Sequence, residues 1–327
     1  MYYNVIVPLD GSELAERVLP HVVELMRGRK SRVHLLSIAP RGGPTAVDVR
    51  ASSATADTLD EWSHLERELI EYLRTAAAQL ESAAADVWLG VRFGRSADEI
   101  LAFAHDVEAD LIAMSTHGRS GIGRWVFGSV ADRVLRGATC PVLLVRAGQS
   151  QHRTPYRRIL VPLDGSETAE QILPYVKEII GSPPTSAWNG VGHGRPSWDP
   201  PRMFLLTVLT TGLADRTLTL LTSYPPGLQL ATTALQQAEV QLQTYLRSVA
   251  AALREHGAAV HVAIRRGLPA DEILAYAADI DADLISMTTH GFSGPSRWVY
   301  GSVAGRVLQG ADCPVFLVRP QFEQGEN

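Results

Sequence analysis

Val7-Pro-Leu-Asp-Gly-Ser-Glu13 returns unchanged as Val161-Pro-Leu-Asp-Gly-Ser-Glu167 in a chain of 327 residues. A longer match lies downstream of each copy: Asp110–Arg146 aligns without a gap on Asp283–Arg319, with 27 identities in 37 positions. The chain is one unit written twice. The stretches that agree best contain glycine-rich turns as well as apolar runs, and turns kept alike between two copies are where function is sought first.

Around these anchors the first copy shows five short apolar, β-branched runs: Asn4 to Leu9, Arg32 to Ala39, Val87 to Phe93, Leu111 to Ser115 and Val142 to Arg146. Between them lie stretches with helical spacing: Leu14, Val18, Val22, Leu25; Leu59, Trp62, Leu65, Leu69, Leu73, Leu80; Ile100, Phe103, Val107; and Val130, Val134, Leu135. The second copy repeats the order, with strands expected near Arg158 to Leu163, Met203 to Leu209, Val260 to Arg266, Leu284 to Thr288 and Val315 to Arg319. Its long helix carries Leu235, Leu242, Leu246, Val249 and Leu253 on one stripe. Strands alternating with helices predict α/β architecture with parallel sheets, because each parallel connection must cross over the sheet. The continuous apolar strands fit burial on both faces.

The expected domains are 1–150 and 151–327, joined by a short polar linker near Gly148 to Tyr156. The offset between copies is 154 residues at Asp10/Asp164 and 173 at Gly118/Gly291. The added residues fall mainly in a Pro/Gly-rich insertion near 181–201, expected to form a surface loop.

With 46% hydrophobic and 20% charged residues, the chain has the balance of a soluble protein with room for two cores. A net charge of −5 gives no general attraction to nucleic acid or acidic membranes, so an anion site must be local. The opening MYYNVIVPLDGS does not read as a signal peptide, and no apolar run approaches the roughly 18 residues of a membrane span, so a cytoplasmic location is expected. Cys140 and Cys313 are the only cysteines, each before a Pro-Val-x-Leu-Val run. They read as small buried hydrophobes, without the spacing of a zinc site.

In an open parallel sheet, ligands settle at the carboxyl ends of strands where the strand order reverses. Asp10 and Asp164 follow the first strand of each copy, and Ser12 and Ser166 stand where they can cap the next helix. After the fourth strand come Ser115-Thr-His-Gly118, nine residues, then Gly128-Ser129; the other copy reads Thr288-Thr-His-Gly291, nine residues, Gly301-Ser302. A helix starting at Gly-Ser points free N–H groups outward and makes a local phosphate site. A plainer reading makes Ser129 and Ser302 ordinary N-caps, with Asp132 completing a capping box at Ser129. No Gly-x-x-x-x-Gly-Lys-Ser/Thr loop is present, nor the lysine and carboxylate set that fast nucleotide hydrolysis uses.

These residues resemble the universal stress protein family in its tandem form, over nearly the whole chain. The resemblance implies two doubly wound, five-stranded, Rossmann-like domains of the adenine nucleotide alpha hydrolase type, strand order 3-2-1-4-5 in each, paired through their fifth strands as a pseudo-dimer. Further homodimerisation is compatible with it. It implies ATP across the ends of strands 1 and 4, with Mg or Mn on the phosphates; the residues themselves assign no metal to protein side chains alone. Asp10 and Asp164 would meet the ribose region, and the Ile38 and Val208 backbones the adenine. Gly118, Gly128, Ser129 and Val130 would hold phosphates, as would Gly291, Gly301, Ser302 and Val303.

One departure stands out: the family's first glycine is Ser115 in one copy and Thr288 in the other. Either hydroxyl can serve a ribose, or either side chain can crowd it. Arg119, Arg124 and Arg297 are possible phosphate contacts, whereas Phe292 replaces Arg119 in the second copy. His117 and His290 suit loop packing or a ligand hydrogen bond better than acid–base catalysis, since no serine or carboxylate partner is recognisable. Trp125 and Trp298 read as packing residues. The expected function is an ATP-binding stress-response module without an assigned catalytic residue. The alternatives are a nucleotide-free interaction protein or a slow ATP hydrolase.

Overall fold

The computed structural model describes residues 3–39, 47–50, 64–80, 86–116, 128–146, 154–180, 201–210, 225–290 and 301–321. The chain divides into two compact units. The first comprises Met1–Pro155 together with Asp312–Arg319, and the second comprises Tyr156–Ala311 with Pro320–Asn327.

Unit 1 contains β1 (Asn4–Pro8), α1 (Glu13–Glu16), α2 (Leu19–Met26), β2 (Arg32–Ala39), β3 (Val47–Arg50), α3 (His64–Ala77) and β4 (Asp86–Phe93). It continues with α4 (Ser96–Asp106), β5 (Leu111–Thr116), α5 (Ser129–Gly137) and β6 (Val142–Arg146). Unit 2 contains β7 (Arg158–Pro162), α6 (Glu167–Glu170), α7 (Leu173–Ile180), β8 (Arg202–Leu209), α8 (Pro225–Arg254) and β9 (Ala259–Arg266). It ends with α9 (Pro269–Asp279), β10 (Leu284–Thr288) and α10 (Ser302–Gly310); the last strand, β11 (Val315–Val318), falls in unit 1.

In unit 1 the strands lie in the order β3-β4-β2-β1-β5-β6-β11. The five central strands are parallel, which gives the expected 3-2-1-4-5 order. Two antiparallel additions flank them. β3 pairs with β4, Val47 opposite Val91, and β11 pairs with β6, Val315 opposite Leu144. The sequence reading did not foresee β3, a four-residue strand too short to show a period. Unit 2 carries β10-β7-β8-β9, all parallel, so four of the second copy's five strands lie there. Every residue of β5 and of β10 is buried, as expected where helices cover both faces.

Each copy begins with the same broken helix. The stripe Leu14–Leu25 predicts one helix, but α1 ends at Glu16 and α2 begins at Leu19 with Pro20 in its first turn. A proline ring clashes with the carbonyl four residues back, here that of Glu16. Pro174 repeats the break between α6 and α7. On α3 the core face carries Ile70, Leu73, Ala77 and the following Leu80, whereas Leu65, expected on that stripe, is 44% exposed.

A second repeated device fixes β1 and β7 at their amino ends. The Asp110 carboxylate accepts from the amides of Tyr3 and Asn4 at 2.7 and 2.9 Å, and Asp283 accepts from those of Arg157 and Arg158 at 2.9 and 2.8 Å. Each aspartate thus satisfies strand-end donors that a parallel neighbour leaves open. Cys140 and Cys313 are buried free thiols. They flank opposite ends of the antiparallel β6–β11 ladder, which rules out a bond between them. No helix among the described residues is long and apolar enough to cross a membrane.

Candidate functional site

In unit 1 the chain runs outward from β1 through β2 to β4, and β5 lies on the other side of β1. In unit 2, β7 stands likewise between β8 and β10. The carboxyl ends of β1/β5 and β7/β10 are therefore the reversal points at which a crevice opens.

One wall is the Asp-Gly-Ser turn. Asp10 Oδ1 accepts from the Ser12 amide at 3.0 Å and from its hydroxyl at 2.6 Å, and the Ser12 hydroxyl accepts from the Ala15 amide at 3.1 Å. Asp164, Ser166 and Ala169 repeat all three bonds at the same lengths. The turn needs glycine, since Gly11 and Gly165 sit at φ +84° and +83°. One carboxylate oxygen of each aspartate is thus tied to its own turn. Behind the turns stand Tyr72 and Tyr245, whose phenols are pushed above their ordinary range by burial, with Glu16 and Glu170 adding to the effect.

The other wall is the start of the helix after the fourth strand. Gly128 and Gly301 are the N-cap residues of α5 and α10, and neither helix has a side-chain cap. Ser129 and Ser302 are therefore the first helical residues and not the N-caps of the plainer reading. Asp132 bonds Arg136, with Oδ2 2.9 Å from Nε, and with Gly128 as N-cap it does not stand at the third helical position that a capping box uses. The first amides of a helix have no partner inside it, so these starts present N–H groups and the positive end of the dipole.

In unit 2 the two walls enclose a cleft of about 440 Å³, within the range of small-molecule sites. It is lined by Asp164, Val208, Thr288, Gly301, Ser302 and Val303, six residues singled out in the sequence. Leu206, Pro269, Ile273 and Met287 add an apolar side, and Thr210 and His290 complete the polar one. The apolar members are ordinary core residue types, which is why the sequence did not mark them. Gly301 is closely hemmed in: its amide donates to the Thr289 carbonyl at 2.8 Å, and a Cβ there would stand 3.2 Å from that oxygen, so the neighbour would have to give by a few tenths of an ångström.

The two copies differ at the end of the fourth strand of each repeat, Ser115 in one and Thr288 in the other. Ser115 is buried in β5, and its hydroxyl donates to the Ala15 carbonyl at 3.2 Å. Thr288 ends β10, and its hydroxyl donates to the His290 carbonyl at 2.7 Å. Both hydroxyls are engaged by protein carbonyls. Ile38 is half-buried near the end of β2, opposite Arg92. Val130 lies in the first turn of α5. Gly118, Gly291, Arg119, Arg124 and Arg297 lie outside the described residues, as do His117, Phe292, Trp125, Trp298 and the expected insertion apart from Pro201. Among the described residues no three His, Cys, Asp or Glu side chains converge on a metal-sized site.

The model of the universal stress protein family matches residues 1–146 and again 206–319. The chain belongs to that family. A universal stress protein of Methanocaldococcus jannaschii is 28% identical over 146 residues, spanning 45% of this chain and 83% of that protein. Universal stress protein G of Escherichia coli O157:H7 is 30% identical over 148 residues, 45% of this chain and all of its own length. The crystal structure of a universal stress protein from Archaeoglobus fulgidus matches 98% of this chain and 97% of its own, with a TM-score of 0.63 at 20% identity. That last likeness extends the shared fold across both copies.

Proposed function

We propose that this universal stress protein binds ATP at the strand ends of both repeat domains, 1–150 and 151–327, and acts in the stress response by coupling occupancy to association rather than by turnover. The observation that carries the proposal is the cleft of about 440 Å³ in which Asp164, Val208, Thr288, Gly301, Ser302 and Val303 meet. Its chemistry suits a nucleotide: an apolar side for a base, a carboxylate for sugar hydroxyls, and an uncapped helix start for phosphates. The crowding at Gly301 supports the same reading, because it brings backbone against the helix start where a phosphate would sit. Asp10, Ile38, Gly128, Ser129 and Val130 are the corresponding contacts of the first domain, with Gly118 and Gly291 completing the phosphate loops. A divalent ion would ride on the phosphates. The domains pair through β6 and β11 as a pseudo-dimer, and the protein works in the cytoplasm.

A nucleotide-free interaction protein is the second reading, favoured by the engagement of the Ser115 and Thr288 hydroxyls with protein carbonyls. Denaturing the purified protein and assaying the released nucleotide separates the two. The binding reading expects adenine nucleotide, or ATP binding by calorimetry that Asp10→Ala with Asp164→Ala abolishes. A protein that neither carries nor takes up ATP sinks it.

A further inference from the structure

His290 occupies a built position at the helix-start side of the unit 2 cleft. Its carbonyl is held by the Thr288 hydroxyl at 2.7 Å, and its Nδ1 lies 3.1 Å from the Thr289 hydroxyl. The Thr289 carbonyl in turn accepts the Gly301 amide at 2.8 Å, so the turn that carries the imidazole is fastened to the start of α10. The ring's Cδ2, the carbon bonded to Nε2, is 3.9 Å from the point where a Gly301 Cβ would stand. That places the Nε2 edge of the ring next to the helix start. The bracket on the carbonyl is particular to this copy, because the equivalent Ser115 hydroxyl is turned to Ala15 instead.

Asp164 and His290 are the two ionisable side chains among the residues lining the cleft. A polyphosphate is repelled by the first and is drawn to the start of α10, beside the second. We infer that His290 reads the charged end of the bound nucleotide: its Nε2 donates to a terminal phosphate oxygen, so the unit 2 cleft discriminates a nucleoside triphosphate from a nucleoside. An anion beside the ring selects the arrangement in which the Thr289 hydroxyl donates to Nδ1 and Nε2 carries the hydrogen. Thr289 is then a positioning residue, acting through the imidazole. The inference rests on nucleotide occupying this cleft.

The test uses the full chain, with wild type, His290→Ala, His290→Gln and Thr289→Val each titrated calorimetrically with ATP and with adenosine. In 15N-histidine protein the His290 ring signals are assigned by their loss in His290→Gln. ATP should move the Nε2 signal to a donor-type shift, and adenosine should leave it in place. His290→Ala should weaken one class of ATP site about ten-fold, the size of one hydrogen bond to a charged group, and adenosine less than about two-fold. His290→Gln, whose amide can donate, should recover part of the loss, and Thr289→Val should fall between. Unchanged ATP affinity in His290→Ala overturns the inference and leaves the nucleotide reading standing. Equal losses for ATP and adenosine also overturn it, since packing alone would then explain them. A wild type that binds neither ligand removes the nucleotide reading and the inference together.

Discussion

The carboxylate of Asp164 takes two hydrogen bonds from Ser166, one from the amide at 3.0 Å and one from the hydroxyl at 2.6 Å. The pair builds the turn and caps the helix, so losing the hydroxyl affects both. Ser166→Ala and Ser12→Ala should each cost about 1 kcal/mol, and by the same amount within error, as the two geometries match. Urea unfolding curves of the single variants give the comparison, and a cost confined to one copy would contradict the equivalence.

Glycine is favoured for different reasons at Gly11 and Gly301. At Gly11 the backbone lies at φ +84° with open space around it, so Gly11→Ala should cost about 1 to 2 kcal/mol of stability through conformation alone. At Gly301 the conflict is steric, with the Thr289 carbonyl 3.2 Å from an added Cβ, so Gly301→Ala should shift the cleft wall and weaken ATP binding there. Gly128 has nothing within 4 Å of that position among the described residues, and Gly128→Ala is the matched control. Equal effects of the two substitutions on ATP affinity would refute this account.

His34 is an acid-sensitive point in the core of unit 1. It is 4% exposed, packed edge-on against Phe103 at 5.4 Å, and neither ring nitrogen has a hydrogen-bond partner among the described residues. Burial, then the Arg32 charge, lowers its pKa from 6.5 to about 4. The unfolded state therefore binds the extra proton between about pH 6.5 and 4, and folded stability falls as pH drops through that window. The loss attributable to this group is on the order of 2 to 3 kcal/mol. The second copy has Phe204 in the matching register, stacked on His261. His34→Phe should stabilise the protein and flatten its pH dependence in that window, as read from melting temperatures at pH 7 and pH 4.5.

Burial pushes the Cys140 thiol up to about 11, and Cys313 is likewise buried. Neither thiol should react with a disulfide reagent in the native protein at pH 8, and both should react on denaturation. Prompt labelling of the folded chain would show that the strands they precede open readily.

The first copy carries Arg119 and Arg124 where the second has Phe292 and Arg297. The amino-terminal site should therefore bind ATP more tightly and lose affinity more steeply with salt. Calorimetry on full-length Asp10→Ala and Asp164→Ala variants isolates each site, and equal salt slopes would end the idea.

The strands were legible because both faces of the sheet are covered, which leaves continuous apolar runs such as Leu111–Met114. The cleft's polar residues were legible because duplication singled them out. What escaped were features without a periodic signal: the four residues of β3, the helix break at Pro20, and the strand-end role of Asp110 and Asp283. Both aspartates open the 37-residue match, so repetition marked them without revealing their task. The plainer reading of Ser129 as a cap fails because Gly128 occupies the N-cap position and Ser129 is the first helical residue.

β11 completes unit 1 although it comes last among the described strands. During synthesis the first unit waits for the second copy to be translated before β6 receives its antiparallel partner. A nascent chain that lacks the second copy leaves that side of β6 open to pairing with other chains, so completing the second copy protects the fold of the first.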